Sequence, residues 1–439
     1  MASESLFPTR QPGGEGILPS QEIRDLVSTG IISATKDIID EQIQPASIDL
    51  RLSDRAYRIR ASFLPGKSTT VLNKARSSEM LEQTLDISDA TLLDPGAIYL
   101  IPAMETLALP GDVYGIANPK STTGRLDIFT RLITEHGADF ERVPEGYSGR
   151  LYIEVVSQTF PIIVRAGMRL NQLRFARGSA GAQADSALRQ LDANSLFIAD
   201  EEVGQATVDR GVRITVDLQG NGMGIVAYQA KKGGPPIDLA KIDHYEIRDF
   251  WVPIERSPNL QLILEPSEFY ILVSKQRLRV PPDRAAEMLP YDLSTQEFRA
   301  HYAGFFDPGF GYGANGEIPG TKAVLEVRAS GVPILLEDDQ FVGRLNYFDL
   351  AQVPDKIYGG PIGSSYQQQG LTLAKQFRKA TQYAPRDAST VSAGSAAGRT
   401  VVQPASPEVQ HDEDDDVVRH ALHANPNTEE FISAKERRD

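Results

Sequence analysis

Lys120-Ser121-Thr122-Thr123-Gly124-Arg125 opens the stretch that decides the fold, which runs from Pro119 to Phe175. A turn follows at Glu145-Gly146-Tyr147-Ser148-Gly149, then the strand-like run Arg150-Leu151-Tyr152-Ile153-Glu154-Val155-Val156. The stretch closes on Arg165-Ala166-Gly167-Met168-Arg169-Leu170 and Gln172-Leu173-Arg174-Phe175. Taken singly, each piece has an ordinary explanation. A Lys-Ser-Thr-Thr-Gly run is commonly a solvated loop, and a Glu within a strand can simply face water. In this order they describe a basic, hydroxyl-rich loop, a Gly turn and one carboxylate among apolar and aromatic neighbours. That combination suits a polyanionic small molecule and a single group for proton transfer.

On both sides of this stretch, short apolar runs are broken by Gly, Pro and Asp. Leu93-Asp94-Pro95-Gly96-Ala97-Ile98-Tyr99-Leu100 reads as a turn and a strand, and Leu109-Pro110-Gly111-Asp112 as another turn. Many short strands predict a mainly β fold, a barrel or sandwich with few short helices. Helices are expected over Gln21 to Ile32, with Gly30 as a stop, over Asp185 to Leu191, and over the basic segment Leu371 to Tyr383.

The second half repeats the first. Leu264-Glu265-Pro266-Ser267-Glu268-Phe269-Tyr270-Ile271 matches Leu93 to Leu100, and Val280-Pro281-Pro282-Asp283 matches Leu109 to Asp112, both at an offset of 171. Leu325-Glu326-Val327 matches Ile153 to Val155, and Leu345-Asn346-Tyr347 matches Leu173 to Phe175, at an offset of 172. A constant offset this long indicates tandem duplication of one domain and not a solenoid. The expected layout is a loose arm over 1–17, a first domain over 18–190, a second domain with a C-terminal segment over 195–383, and a disordered acidic tail over 384–439.

The order of motifs resembles the dCTP deaminase family of the dUTPase-like superfamily. That family carries an Arg/Lys-Ser-Ser-x-x-Arg loop, a Pro-Gly-Trp/Tyr-Ser-Gly turn, a strand with a catalytic Glu and an Arg-Pro-Gly-Met-like turn. Here they correspond to Lys120-Ser121-Thr122-x-x-Arg125, Gly146-Tyr147-Ser148-Gly149, Glu154 and Arg165-x-Gly167-Met168. Ile43-Gln44-Pro45-Ala46-Ser47-Ile48-Asp49-Leu50-Arg51-Leu52 resembles the family's early strand, and Tyr366-Gln367-Gln368-Gln369-Gly370 its tail, which folds over the nucleotide. The family's Lys before that Tyr is Ser365 here. The first copy lacks the family's Asp in its turn, Val143-Pro144-Glu145-Gly146, and Arg131 to Arg142 carries an apparent insertion; the second keeps Asp307-Pro308-Gly309 and Glu326. The second copy has Tyr291, Asp292 and Gln296 where the first has Lys120, Ser121 and Arg125.

The resemblance implies a duplicated dUTPase-like fold that hydrolytically deaminates dCTP to dUTP and ammonia, supplying deoxyuridine nucleotide for thymidylate synthesis. Glu154 is then the general base and acid, Arg125 the donor that holds water or developing charge, and Ser121 a positioning hydroxyl. Substrate binding is implied for Lys120, Ser121, Thr122, Thr123, Gly124, Arg125, Tyr152, Ile153, Tyr358, Tyr366 and Gln369, with His136 and Arg142 as alternatives for one basic position. Mg²⁺ is expected with the triphosphate, and no protein metal ligand. The second copy is expected to be silent, with Glu326 a structural residue. The rival is a composite site in which Asp307 or Glu326 reaches a nucleotide held by the first copy. Single-domain relatives are trimers, so a homo-oligomer with trimer-like packing of domains is expected.

Composition narrows the chemistry. Familiar zinc-dependent nucleobase deaminases need a Pro-Cys-x-x-Cys signature; this chain has no Cys and six His, so a zinc-free route is expected. A net charge of −14 over 439 residues argues against general nucleic-acid binding. The lack of a long apolar run points to neither a membrane span nor a signal peptide, and the expected location is cytoplasmic. Other readings are a dUTP diphosphatase, a bifunctional enzyme making dUMP, a non-catalytic nucleotide sensor, and a β-rich assembly module. The diphosphatase is disfavoured because Val143-Pro144-Glu145-Gly146-Tyr147 lacks that family's water-activating Asp.

Overall fold

In a computed structural model, the structure describes residues 13–192, 197, 206–220, 224–290, 298–300, 304–329, 331–359 and 366–379. The sequence expectations for Tyr291, Asp292 and Gln296, for residues 1–12 of the arm and for the 384–439 tail lie outside them. The described chain is mainly β with few short helices. Alternating apolar residues explain the central strand Ser148–Ser157: Leu151, Ile153 and Val155 enter the main core, while Tyr152 faces the other way. This strand lies between Ile98–Ala108 and Ile128–Thr134, both antiparallel to it. A second sheet pairs Arg169–Arg177 with Val113–Pro119 and with Ile48–Arg51.

The second half rebuilds these ladders in the same register. Leu100 faces Glu154 across its ladder, and Ile271 faces Glu326 in the same way. Leu173 pairs with Ala117, and Leu345 with Met288. Tyr57 pairs with Leu100, and Tyr228 with Ile271; Leu93 pairs with Ile162, and Leu264 with Ile334. Even a side-chain lock recurs, since the Asp94 amide donates to the Tyr99 hydroxyl and the Glu265 amide to that of Tyr270.

The halves differ in what covers equivalent faces. In the first, Phe63, Leu64 and the short helix Val71–Ser77 pack over the face that bears Tyr152. In the second, Ala323, Leu325 and Val327 enter that half's own core, while Val324 packs on the core cluster of the first. The segment that closes the sheet in the first half is replaced by one that crosses over. Ile237–Asp238 adds in parallel to Ile162–Val164, and Phe250 and Trp251 pack around Phe160, with the Phe160 and Trp251 rings 5.5 Å apart. Each such buried aromatic stabilises the contact by roughly 1.5–3 kcal/mol.

Three local expectations change. The first helix is Ser20–Ser28, and Ile32 belongs to the strand Ile32–Ala34; Gly30, at φ 75°, ends the helix before it. Gly16–Ile17, inside the supposed arm, is a strand paired with Arg177 and Ala176. Residues 371–379 form no helix: Gln376 and Phe377 are buried and held by backbone contacts to His244 and Tyr245. The helix Asp185–Asp192 is as expected. Among the described residues no helix is long and apolar enough to cross a membrane.

Candidate active site

A cavity of 660 Å³ opens between the halves. Its floor from the first half is the loop that the sequence singles out. After Pro119 the chain leaves its strand and makes one helical turn, Ser121–Gly124, closed by the Gly124 and Arg125 amides donating to the Lys120 and Ser121 carbonyls. Thr123 donates to the Leu170 carbonyl at 2.8 Å and lines the cavity together with Lys120, Ser121, Thr122 and Arg125, while Gly124 does not.

The facing wall comes from the second half. Glu326, on the strand Thr321–Ala329, projects onto this turn and is 9 % exposed. It lies so close to Gly124 that any side-chain carbon there would overlap its carboxyl group. Burial pushes the Glu326 carboxyl up to about 8; the Arg125 charge opposes that shift and the Asp127 charge adds to it. Arg125 is itself buried, donates to the Thr372 carbonyl at 3.0 Å, and lies under the Tyr366 ring at 3.7 Å.

One end of the cavity is basic. Lys120 pairs with Asp49, and Arg169 lies 3.6 Å from the same carboxylate. Lys375, an exposed residue at the rim, completes the group; partial desolvation of its ammonium by the cavity wall, together with the charges of Lys120 and Arg169, lowers its affinity for a proton. Three cations around one carboxylate leave positive charge over for an anion. Deeper in, Asp307 sits 3.6 Å from Arg174 beside Phe305 and Phe310; burial raises its pKa, and Arg174 works against the rise. Tyr358, Tyr366 and Gln369 roof the cavity. The Tyr366 hydroxyl is 2.8 Å from that of Thr122, and Gln369 donates to the Lys322 carbonyl at 3.3 Å.

Other nominated residues are placed elsewhere. Glu154 is fully buried on the covered face of the first half and lines no part of this cavity. One of its oxygens accepts two hydrogen bonds from Arg131, its neighbour across the ladder, at 2.6 and 2.9 Å. Tyr152 lies on the same covered face and donates to Glu135 at 2.9 Å, and Ile153 is in the core. His136 and Arg142 are exposed and outside the cavity lining. So the structure joins the first copy's loop to the second copy's Glu, the composite arrangement that sequence reasoning held as the rival.

Sequence reasoning did not nominate Asp49, Arg169 or Lys375. The first two stand inside motifs it quoted, and only Lys375 has no motif to mark it. The strongest overlooked signal was complementary retention. The first copy keeps the basic loop but loses the Asp of its turn, whereas the second keeps Asp307-Pro308-Gly309 and Glu326 but not the loop. Two incomplete motif sets that sum to one complete set describe a site shared between copies.

Comparison with known proteins gives the same assignment. Residues 14–179 match the family model described as the 2'-deoxycytidine 5'-triphosphate deaminase (DCD) N-terminal domain, and residues 184–377 match its C-terminal domain. A protein of Beutenbergia cavernae named "dCTP deaminase, dUMP-forming" is 31% identical over 170 residues, 38% of this chain and 82% of that protein. One of Halorubrum lacusprofundi named "dCTP deaminase" is 29% identical over 161 residues, 36% of this chain and 76% of that protein. The crystal structure of 2'-deoxycytidine 5'-triphosphate deaminase from Agrobacterium tumefaciens superposes with a TM-score of 0.72 at 43% identity, covering 77% of this chain and 99% of that one. With both of its halves matched, the chain belongs to the 2'-deoxycytidine 5'-triphosphate deaminase family.

Proposed function

We propose that this chain is an enzyme that deaminates dCTP hydrolytically to dUTP and ammonia in the cavity between its halves, with Glu326 in place of Glu154 moving the protons. The observation that carries this reading is the Glu326 carboxyl group buried against Gly124 under the Arg125 charge. Deamination adds water at C4 of cytosine and expels the amino group. Glu326, ionised, takes a proton from the attacking water and the resulting acid returns it to the departing amino group; as ammonia leaves, the proton of the C4 hydroxyl passes to N3 and C4 becomes the carbonyl of uracil. A carboxyl group held near pKa 8 has both forms available around neutral pH. Arg125 stays charged throughout and is aimed by Thr372 and Tyr366, which suits it to stabilise negative charge on the adduct. Ser121, exposed at the turn, is placed to orient water or phosphate.

Lys120, Arg169 and Lys375 suit the triphosphate. Among the described residues there is no group of three or more His, Cys, Asp or Glu suited to a metal. Mg²⁺, in this reading, arrives on the triphosphate, held by phosphate oxygens and water. A Cys-free chain cannot build the usual His/Cys/Cys zinc site, which supports the zinc-independent route. The repeated ladders support a tandem duplication of one dUTPase-like domain. A homo-oligomer is part of the proposal. Phe160 is buried by Phe250 and Trp251, but Val332, at the matching position of the second half, is 57% exposed beside exposed Leu335. Light scattering tests this.

Several relatives carry the name "dUMP-forming", which favours one second reading, deamination followed by loss of diphosphate. Product analysis with dCTP and Mg²⁺ decides: dUTP and ammonia support the first reading, dUMP the second, and no turnover refutes both.

A further inference from the structure

The loop and Glu326 belong to different halves, so something must set their distance. Two residues beyond Glu326 on the same strand face stands Arg328, and two residues beyond Arg125 stands Asp127. Their side chains form an ion pair across the junction. Asp127 is 1% exposed, at φ 56°, a left-handed conformation that Asp tolerates better than most residues, and it aims the carboxylate back at the second half. Thr159 donates to the same Asp127 oxygen at 2.6 Å and accepts from Arg328 at 3.1 Å. Arg328 also donates to the Ser267 carbonyl, tying the second half's own turn into the junction.

We infer that the Asp127–Arg328 pair, closed by Thr159, is a positioning device that holds the first half's Arg125 turn against the second half's Glu326. Neither residue lines the cavity. The turn meets the strand at two points, Gly124 on Glu326 and Asp127 on Arg328. With one contact the turn can pivot about it; with two its orientation is fixed. The charges facing Glu326 are Arg125 and Asp127, so the pair also bears on its protonation, Asp127 favouring the neutral acid.

The inference rests on the proposed deaminase reading for its kinetic arm only. Arg328→Gln is expected to lower kcat for dCTP at least tenfold with KM changed less than threefold, and Arg328→Lys to recover much of the loss. Asp127→Asn is expected to move the acid limb of the kcat/KM profile to lower pH. Because either single variant leaves a buried charge without its partner, the double variant Asp127→Asn/Arg328→Gln guards against failure to fold. It should fold and still lose kcat at least tenfold. The second arm needs no substrate: hydrogen exchange of the Thr123 to Asp127 amides in the free protein should be at least tenfold faster in the folded double variant. Wild-type exchange at these amides together with wild-type kcat in the double variant overturns the inference. Faster exchange in a protein whose wild type does not act on dCTP keeps the positioning role and discards the deaminase reading.

Discussion

Glu326→Gln should change the pH dependence of stability in a calculable way. The Glu326 carboxyl goes from an ordinary 4.5 in the unfolded chain to about 8 in the folded one. A raised folded pKa means that the native state binds the extra proton. The stability this gives is complete below pH 4.5 and is lost as pH rises through 8, with a slope of about 1.4 kcal/mol per pH unit in between. Integrated over the window, the term is on the order of 3–5 kcal/mol. Gln is never ionised, so the variant lacks it. Glu141, half-buried and facing the charges of Arg131 and Glu154, is also pushed up to about 8, chiefly by desolvation, and tilts wild type and variant alike, so it cancels in their difference. The assay is thermal or urea unfolding of both proteins from pH 5 to pH 8.5. The variant should gain on wild type steadily as pH rises, and Glu141→Gln should show a separate gain of the same sign. A Glu326→Gln minus wild-type difference that stays flat across the window would refute the buried neutral acid.

Gly124→Ala places a carbon where the Glu326 carboxyl lies, so turnover should fall more than tenfold in a protein that still melts cooperatively; wild-type turnover would mean that the contact is not made in the working enzyme. Arg131→Ala strips the buried Glu154 of its partner and should cost about 3 kcal/mol in denaturant unfolding, with turnover per folded molecule within a few-fold of wild type. Lys375→Ala should raise KM for dCTP about tenfold with a smaller effect on kcat, since it removes one charge-assisted phosphate contact; an unchanged KM removes Lys375 from the anion end.

The strands were legible because their signal is local. Alternation such as Leu151, Ile153 and Val155, and turn residues such as Asp94-Pro95-Gly96, do not depend on distant chain. The matching layout of the two halves was legible because core residues recur at a fixed offset, which the ladders at Leu100 with Glu154 and Ile271 with Glu326 reproduce. The loop could be read as part of the site from charge and hydroxyl content. Its partner, Glu326, stood in the sequence only as the rival to Glu154, because 154 is near 125 in sequence and 326 is not. Equivalent carboxyls end in different surroundings for reasons of packing: the chain from Phe63 to Val71 folds back over one face, while its counterpart crosses to Ile162 and leaves the other face for the junction. The helix expected over Leu371 to Tyr383 failed in the described residues for the same kind of reason, since its length is held by contacts to His244, Tyr245 and Leu239 and not by its own turns.

The central claim is that one site is shared between two incomplete copies, and the most direct test compares Glu326→Gln with Glu154→Gln for dCTP turnover at saturating substrate, with folding verified for both. The account predicts a loss of about 10²-fold or more for Glu326→Gln, in line with removal of a general acid and base, and turnover within a few-fold of wild type for Glu154→Gln. Loss in Glu154→Gln with near wild-type turnover in Glu326→Gln would contradict it and return the chemistry to the first copy alone.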